Sequence, residues 1–148
     1  MIKFSKTDDK YGCFSNFYKC KIIYDGLEYK SSEAAWQAQK TLDVNEREQF
    51  CNYTAYQSKK LGRSVKLRSD WESVKYNLMI DVCYAKFNQN TDLKEILLST
   101  GDEELVENTT GWHDNIWGNC ECPRCINKVG QNLLGKALME VRKLIRNQ

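Results

Sequence analysis

The 148-residue chain carries 22 basic and 20 acidic side chains, so its formal net charge is only +2. This balance does not favour a protein that binds nucleic acid through its overall charge. No apolar run approaches the roughly 18 residues of a membrane span, and the first residues lack the apolar segment of a signal peptide. We therefore expect one cytoplasmic domain, residues 1–148, without membrane association.

Turn and cap residues predict a hairpin followed by a helix in the first part of the chain. Asp25-Gly26 lies between two β-prone runs and predicts a two-residue hairpin turn. Ser31 or Ser32 is expected to cap a helix that continues to about Thr41.

Helices are predicted to dominate the rest of the chain. Two short ones are expected at 45–53 and 54–61, and Gly62 is placed to end the second. Asp70 is expected to cap the longest helix, from Trp71 to about residue 88, because apolar side chains recur there at helical spacing. Further helices are predicted over 92–99 and 131–145, a short strand over 104–109, and irregular structure over 109–129. The last helix is expected to present an apolar stripe to the core: Leu134, Leu138, Val141 and Ile145. The predicted fold class is α+β: a mostly helical single domain with a small N-terminal β-hairpin or sheet.

Glu33 and Lys40 are the first candidate functional pair. They are seven residues apart, close to two helical turns, so on one helix they would share a face about 10 Å apart along the axis. One interpretation is two unrelated charges, with the carboxylate favoured by the start of the helix. The other is that a ligand fits between them.

Lys75 and an irregular aromatic segment provide further candidates. Lys75 lies between Trp71 and Met79 at i, i+4 and i+8, where packing would desolvate the ammonium and lower its pKa. Alternatively, Trp71 belongs to the core and Lys75 extends past it to solvent. The stretch "GWHDNIWG", residues 111–118, contains tryptophans that either bind a planar ligand or pin the loop to the core.

Three of the seven cysteines cluster as Cys120, Cys122 and Cys125. An odd number of cysteines without a secretion signal does not favour a disulfide framework. Zinc prefers four ligands, and His113 is the only histidine that is available as the fourth. Packed or reactive thiols are favoured over a metal, so we predict no metal ligands and no catalytic role for this cluster.

An ordered set of motifs resembles the NADAR (YbiA-like) N-glycosidase family and covers nearly the whole chain. The matching stretches are "YGCFSNF" (11–17), "SSEAAWQAQK" (31–40), "LGR" (61–63), "WESVKYNLM" (71–79), "AKFNQN" (85–90), "LLSTGDEELVENT" (97–109), "DNIWG" (114–118) and "GQNLLGKALMEVR" (130–142). Each motif alone is weak, but their combination in this order is specific.

The resemblance implies hydrolysis of the bond between ribose and an amino-bearing heterocycle, without a metal or other cofactor. Two substrate classes are implied: phosphorylated ribosylamino-pyrimidinones of riboflavin synthesis, and ADP-ribose on guanine in nucleic acid. The implied catalytic residues are Glu33, Lys40, Lys75 and Asp114, and the implied substrate-binding residues are Asn16, Trp71, Trp117, Gly118 and Asn132.

The chemistry and the function class both retain alternatives at this point. A lysine, either Lys40 or Lys75, would form a Schiff base with the opened ribose, or carboxylates would activate water for direct displacement. A module that binds ADP-ribose or a nucleotide without cleaving it is the alternative function. A cysteine-cluster interaction module is the third.

Overall fold

The computed structural model describes residues 1–148 and contains six α-helices and four short strands. The strands are β1 (Ile2–Phe4), β2 (Ile22–Tyr24), β3 (Leu27–Tyr29) and β4 (Leu105–Glu107). The helices are α1 (Ser32–Ala38), α2 (Val44–Gln49), α3 (Ala55–Leu61), α4 (Trp71–Gln89), α5 (Thr91–Ser99) and α6 (Leu133–Arg146). The predicted α+β class is confirmed. None of the helices combines the length and the hydrophobicity needed to span a bilayer.

The chain forms two compact units. One is the continuous segment 16–91, and the other combines residues 1–15 with residues 92–148. The first unit therefore interrupts the second in the sequence. The predicted single domain, residues 1–148, stays a prediction.

The 16–91 unit begins with the predicted hairpin. Strands β2 and β3 pair antiparallel, with Ile22 opposite Tyr29. Asp25 and Gly26 have φ values of 49° and 81°, the left-handed conformation that a tight hairpin turn needs at both central residues. Helix α1 packs against α3 and α4, and all seven of its residues are buried.

Helix α1 is shorter than its sequence pattern predicts. The Ser31 side chain caps it by accepting a hydrogen bond from the Ala34 N–H at 3.1 Å. After Ala38 the backbone tightens, and the Lys40 N–H donates to the carbonyl three residues earlier, at Gln37. The predicted continuation to about Thr41 is therefore wrong, and Lys40 lies in a tight turn that follows the helix.

Helix α4 begins where the sequence predicts but without the predicted cap. Asp70 precedes the helix and makes no side-chain capping bond. Its carboxylate instead binds the Arg68 guanidinium, with an Oδ1 to Nε distance of 2.6 Å. The predicted capping role of Asp70 is therefore wrong, because a guanidinium two residues away occupies the carboxylate that a cap would use.

The other unit combines a parallel strand pair with α6. Strand β1 pairs with β4, which places Ile2 opposite Leu105, and β4 packs against α6. The buried face of α6 contains the predicted apolar stripe of Leu134, Leu138, Val141 and Ile145. Between β4 and α6, residues 109–132 contain no helix or strand, as predicted for most of this segment.

Candidate active site

Glu33 is a buried carboxylate in the first turn of α1. It is 7% exposed, and a carboxylate removed from water is stable only with polar partners. Gln37 Nε2 donates to its Oε1 at 2.8 Å, and the start of the helix favours negative charge. The Glu33 N–H donates to the Asn16 carbonyl at 3.0 Å. Glu33 is therefore not a surface charge.

Gln37 was not identified from the sequence, although it lies one helical turn after Glu33. Its side chain is buried, and its Oε1 has no hydrogen-bond partner. Gly62 lies against this oxygen, and a Cβ at position 62 would collide with it. Gly62 has an ordinary helical φ of −60°, so a left-handed helix end is not the reason for glycine there. The space for the Gln37 side chain is the better explanation.

The Lys40 ammonium lies over two indole rings. Its Nζ is 5.7 Å from the ring centroid of Trp36 and 5.8 Å from that of Trp71. The two rings pack against each other with centroids 5.0 Å apart. Burial lowers the pKa of Lys40, the Glu33 carboxylate opposes this shift, and the Arg63 cation adds to it. At a given pH, the fraction of molecules with a neutral amine is therefore larger for Lys40 than for a solvated lysine.

Lys75 has a different environment from the one that its neighbours predict. Trp71 and Met79 are buried as expected, but Lys75 Nζ forms an ion pair with Glu72 Oε2 at 2.6 Å. The Lys75 backbone carbonyl accepts a hydrogen bond from Trp36 Nε1 at 3.0 Å. Its ammonium is thus held by a largely exposed carboxylate, while its backbone fixes the indole that lies under Lys40.

Asn16 belongs to a buried polar network beside Glu33. Its Oδ1 accepts from Ser32 Oγ at 2.9 Å, and its Nδ2 lies 3.5 Å from Met79 Sδ. Lys86 Nζ lies 3.5 Å from the same Ser32 hydroxyl, and Lys86 is only 1% exposed. Lys86 was not identified from the sequence, although it follows the buried Val82 by one helical turn, so helical spacing was an available signal.

Asp114, in the other unit, shapes a turn of the irregular segment. Its Oδ1 accepts hydrogen bonds from the backbone N–H groups of Ile116 (2.8 Å) and Trp117 (2.9 Å). Thr109 Oγ1 donates to the Asp114 carbonyl at 2.6 Å. These contacts fix the backbone that carries the half-buried Trp117.

Gly118 and Asn132 also have structural contacts. A Cβ at Gly118 would lie 2.7 Å from the Glu107 carbonyl oxygen, so only glycine fits. Asn132 has a left-handed φ of 52°, accepts from the Glu107 N–H at 3.1 Å and donates to the Leu105 carbonyl at 2.8 Å. Substrate contacts by these residues stay a prediction.

The α+β fold brings a buried carboxylate, Glu33, close enough to Lys40 to influence the pKa of this lysine. A carboxyl group and a desolvated amine are the groups that proton transfer and amine chemistry use. The chain belongs to the NADAR domain family, whose sequence model matches residues 3–146. The family resemblance predicted from the motifs is therefore confirmed.

Individual relatives cover most of the chain. N-glycosidase YbiA of Shigella boydii serotype 4 (strain Sb227) is 40% identical over 146 residues, which are 97% of this chain and 87% of that protein. A riboflavin biosynthesis protein of Vibrio vulnificus (strain YJ016) is 37% identical over 96% of this chain, but only 38% of its own length. The NMR structure of the E. coli protein YbiA is 39% identical, with a TM-score of 0.84 over 99% of this chain and 84% of that one. The names of the N-glycosidase relatives support an enzyme that hydrolyses N-glycosyl compounds.

Proposed function

We propose that the protein hydrolyses the bond between C1′ of a ribose and the exocyclic amino nitrogen of a heterocycle. The observation that carries this proposal is the Lys40 amine, desolvated over two indole rings and influenced electrostatically by the buried Glu33. A neutral amine is a nucleophile toward an imine, and a carboxyl group moves the protons. The N-glycosidase names of the relatives support the same reaction.

The first half of the reaction opens the sugar. The Glu33 carboxyl donates a proton to the ribose ring oxygen as the bond from that oxygen to C1′ breaks. The lone pair of the exocyclic nitrogen then forms a double bond to C1′, which gives an iminium ion. Glu33 is left as the carboxylate.

The second half exchanges one amine for another. Neutral Lys40 Nζ adds to C1′, and Glu33 transfers a proton from this nitrogen to the exocyclic nitrogen. The bond from C1′ to the exocyclic nitrogen breaks, the heterocyclic amine leaves, and Lys40 holds the sugar as a protonated Schiff base. Water then adds to C1′ and gives its proton to Glu33, and collapse of the adduct frees the ribose aldehyde and the Lys40 amine.

Lys40 is the better candidate nucleophile than Lys75. The Lys40 ammonium lies over two indole rings, which reduce its contact with water. The Lys75 ammonium is bound by the Glu72 carboxylate at 2.6 Å, and an amine in that ion pair is not free to attack. We therefore assign Lys75 a positioning role, because its carbonyl holds the Trp36 indole.

Phosphorylated ribosylamino-pyrimidinones are the first substrate class to test. The relative from Vibrio vulnificus is named a riboflavin biosynthesis protein. Arg63 is exposed, and its positive charge contributes to the lowered pKa of Lys40, so we propose that its guanidinium binds a phosphate of the substrate. ADP-ribose on guanine carries phosphates on the same sugar type and is the second class.

The remaining candidate residues receive roles that match their burial. Trp71 is 6% exposed and packs on Trp36, so we assign it to the cover of Lys40. Trp117 is half-buried and is our candidate for stacking on the heterocycle. We assign structural roles to the remaining four residues. Asn16 would hold the polar network beside Glu33, and three residues would hold the backbone near Trp117: Asp114, Gly118 and Asn132. A cytoplasmic location is part of this proposal and fits seven cysteines, none of which forms a disulfide.

A side-by-side assay tests the function. The protein is incubated with a ribosylamino-pyrimidinone phosphate and, separately, with ADP-ribosylated guanine, and release of the free heterocyclic amine is followed. We expect release from at least one substrate, and release that is about 10²–10⁴-fold slower with Glu33→Gln. Binding of either compound without release would instead support the non-catalytic binding module.

A further inference from the structure

Four metal-ligating side chains converge in the segment 109–132. His113 Nδ1 lies 3.3 Å from Cys120 Sγ and 3.3 Å from Cys122 Sγ. The ligand atoms of His113, Cys120, Cys122 and Cys125 all lie within 4.8 Å of one another. The Cys120 and Cys125 side chains are buried, while His113 and Cys122 face solvent to a greater extent.

These separations match a tetrahedral zinc site. Zinc binds cysteine sulfur at about 2.3 Å and histidine nitrogen at about 2.0 Å, which corresponds to ligand–ligand distances of about 3.5–3.8 Å in a tetrahedron. The observed histidine–sulfur distances of 3.3 Å and the limit of 4.8 Å for all pairs bracket these values. A zinc ion at the centre therefore requires only small movements of the side chains.

The backbone holds two of the cysteines in a turn. The Cys125 N–H donates to the Cys122 carbonyl at 2.9 Å, and Pro123 occupies the position where its fixed φ favours such a turn. This turn brings both thiols of the Cys-x2-Cys pair to one side. The Cys120 N–H is held separately by Asn115 Oδ1 at 2.9 Å.

His113 completes the set through an uncommon backbone conformation. Its φ is 61°, in the left-handed region, and its N–H donates to the Thr109 carbonyl at 2.7 Å. A non-glycine residue keeps this conformation when surrounding contacts determine it. Here the conformation directs the imidazole to the three thiols. The spacing of the residues in the sequence did not predict this backbone conformation.

We propose that His113 Nδ1 and the thiolates of Cys120, Cys122 and Cys125 bind one Zn²⁺ ion as a structural site. Four protein ligands fill the tetrahedron and leave no position for water, so the ion takes no part in the glycosidase reaction. Binding releases a proton from each thiol that becomes a thiolate. This replaces the expectation of packed thiols without a metal and keeps the expectation that the cluster is not catalytic.

A metal cross-link would stabilise segment 109–132, which has little regular structure of its own. This segment contains no helix or strand, and exposed apolar side chains such as Ile126 and Val129 contribute little to a core. Asp114 and Trp117 lie within it, so a metal that fixes the backbone at His113 and Cys120 also restrains the backbone between them.

Metal content of the whole protein tests the proposal without reference to activity. After purification without chelator, elemental analysis should give one zinc per chain. Cys122→Ser should lose the metal, while Cys51→Ser, which removes a similarly half-buried thiol outside the cluster, should keep it. His113→Cys should retain zinc and His113→Ala should lose it.

Two further measurements cover the case in which a variant fails to fold. Replacement of zinc by cobalt(II) in the unaltered protein should give the intense visible absorption of a tetrahedral thiolate site. Removal of the metal should lower Tm, and added zinc should restore it. Substoichiometric zinc in the unaltered protein, with a Tm that chelator does not change and thiols that react freely, would overturn the proposal and leave the glycosidase assignment intact.

Discussion

Segment 31–41 and segment 109–132 both contain candidate active-site residues, but the two segments hold them by different means. Helix α1 places Glu33 and Gln37 one turn apart and buries every residue it contains. Segment 109–132 fixes Asp114 through hydrogen bonds between its side chain and the backbone. The first arrangement follows from helical periodicity, whereas the second depends on local hydrogen bonds from backbone N–H groups to a side chain, without a repeating pattern. Mutations in the first segment should therefore separate chemistry from stability more cleanly.

The largest effect is expected at Lys40. Lys40→Arg keeps a positive charge, but a guanidinium does not form a Schiff base, so turnover should be lost. Borohydride added during turnover should fix the sugar to Lys40 in the unaltered protein, as peptide mapping will show. The matched variant Lys75→Arg should still give the adduct. An adduct on Lys75, or full activity of Lys40→Arg, would contradict the assignment.

The pH dependence of the rate is a second test of the role of Lys40 as the nucleophile. Burial lowers the pKa of this lysine below its ordinary value. The neutral amine, which is the nucleophile, gains population as the pH rises toward that pKa. Where the attack of Lys40 on C1′ limits the rate, kcat should therefore increase with pH. The rise should begin at a lower pH than a solvated lysine would give. A flat profile in the alkaline range would argue for water activated by a carboxylate.

Glu33→Gln should lower kcat by about 10²–10⁴-fold, the usual contribution of a positioned acid or base. The glutamine keeps the size of the side chain and an oxygen for the Gln37 amide, so the stability change should stay below about 1 kcal/mol. Steady-state kinetics and urea denaturation measure the two effects. Glu48→Gln, at an exposed position, is the control and should change neither. A near-normal rate for Glu33→Gln would remove it from the mechanism.

Trp117 tests the irregular segment. If its ring stacks on the heterocycle, Trp117→Ala should raise KM about tenfold or more, since such stacking contributes roughly 1–3 kcal/mol. Trp117→Phe should retain part of the affinity. Trp112→Ala removes a more exposed indole and should have little effect on KM. Equal KM values for the two Trp117 variants, or unfolding of both, would identify the ring as packing.

The smallest effect is expected at Gly62. The Cβ of Gly62→Ala would collide with Gln37 Oε1, and overpacking of this kind typically costs about 1–3 kcal/mol. Gln37→Ala combined with Gly62→Ala removes the clash, so the double variant should lose less stability than the sum of the two single variants. Urea denaturation of all four proteins measures the coupling. Additive losses would show that Gly62 does not act through Gln37.

Elements with strong local signals were predicted well. The Asp25-Gly26 turn and the apolar stripe of α6 need only neighbouring residues, and both are confirmed. The short strand at β4 was also predicted, but its partner β1 was not. Strand β1 has three residues and pairs with a segment far away in sequence, so no local pattern reveals it.

In the candidate site, too, local sequence patterns do not reveal the side-chain contacts between segments that are distant in the sequence. The motifs identify Glu33 and Lys40, but the burial of the Gln37 side chain depends on packing between helices. The ion pair between Lys75 and Glu72 was within reach of the i, i+3 spacing, and the contact of Lys40 with Trp36 was within reach of the i, i+4 spacing. The Trp71 ring under Lys40 was not, because it lies on another helix. The convergence of His113 on the cysteines required a left-handed backbone at His113, which a sequence pattern does not show for histidine.

The pairing of β1 with β4 has a consequence for the order in which the chain acquires its structure. Ile2 has no partner until Leu105 has left the ribosome. Segment 16–91 is complete before that point, and its contacts lie within a shorter stretch of chain, so it closes smaller loops. Strand β1 is therefore synthesised before segment 16–91 and fixed in place after it. During that interval its edge is open to other chains, and brief exposure of three residues presents a smaller aggregation hazard than a longer strand would.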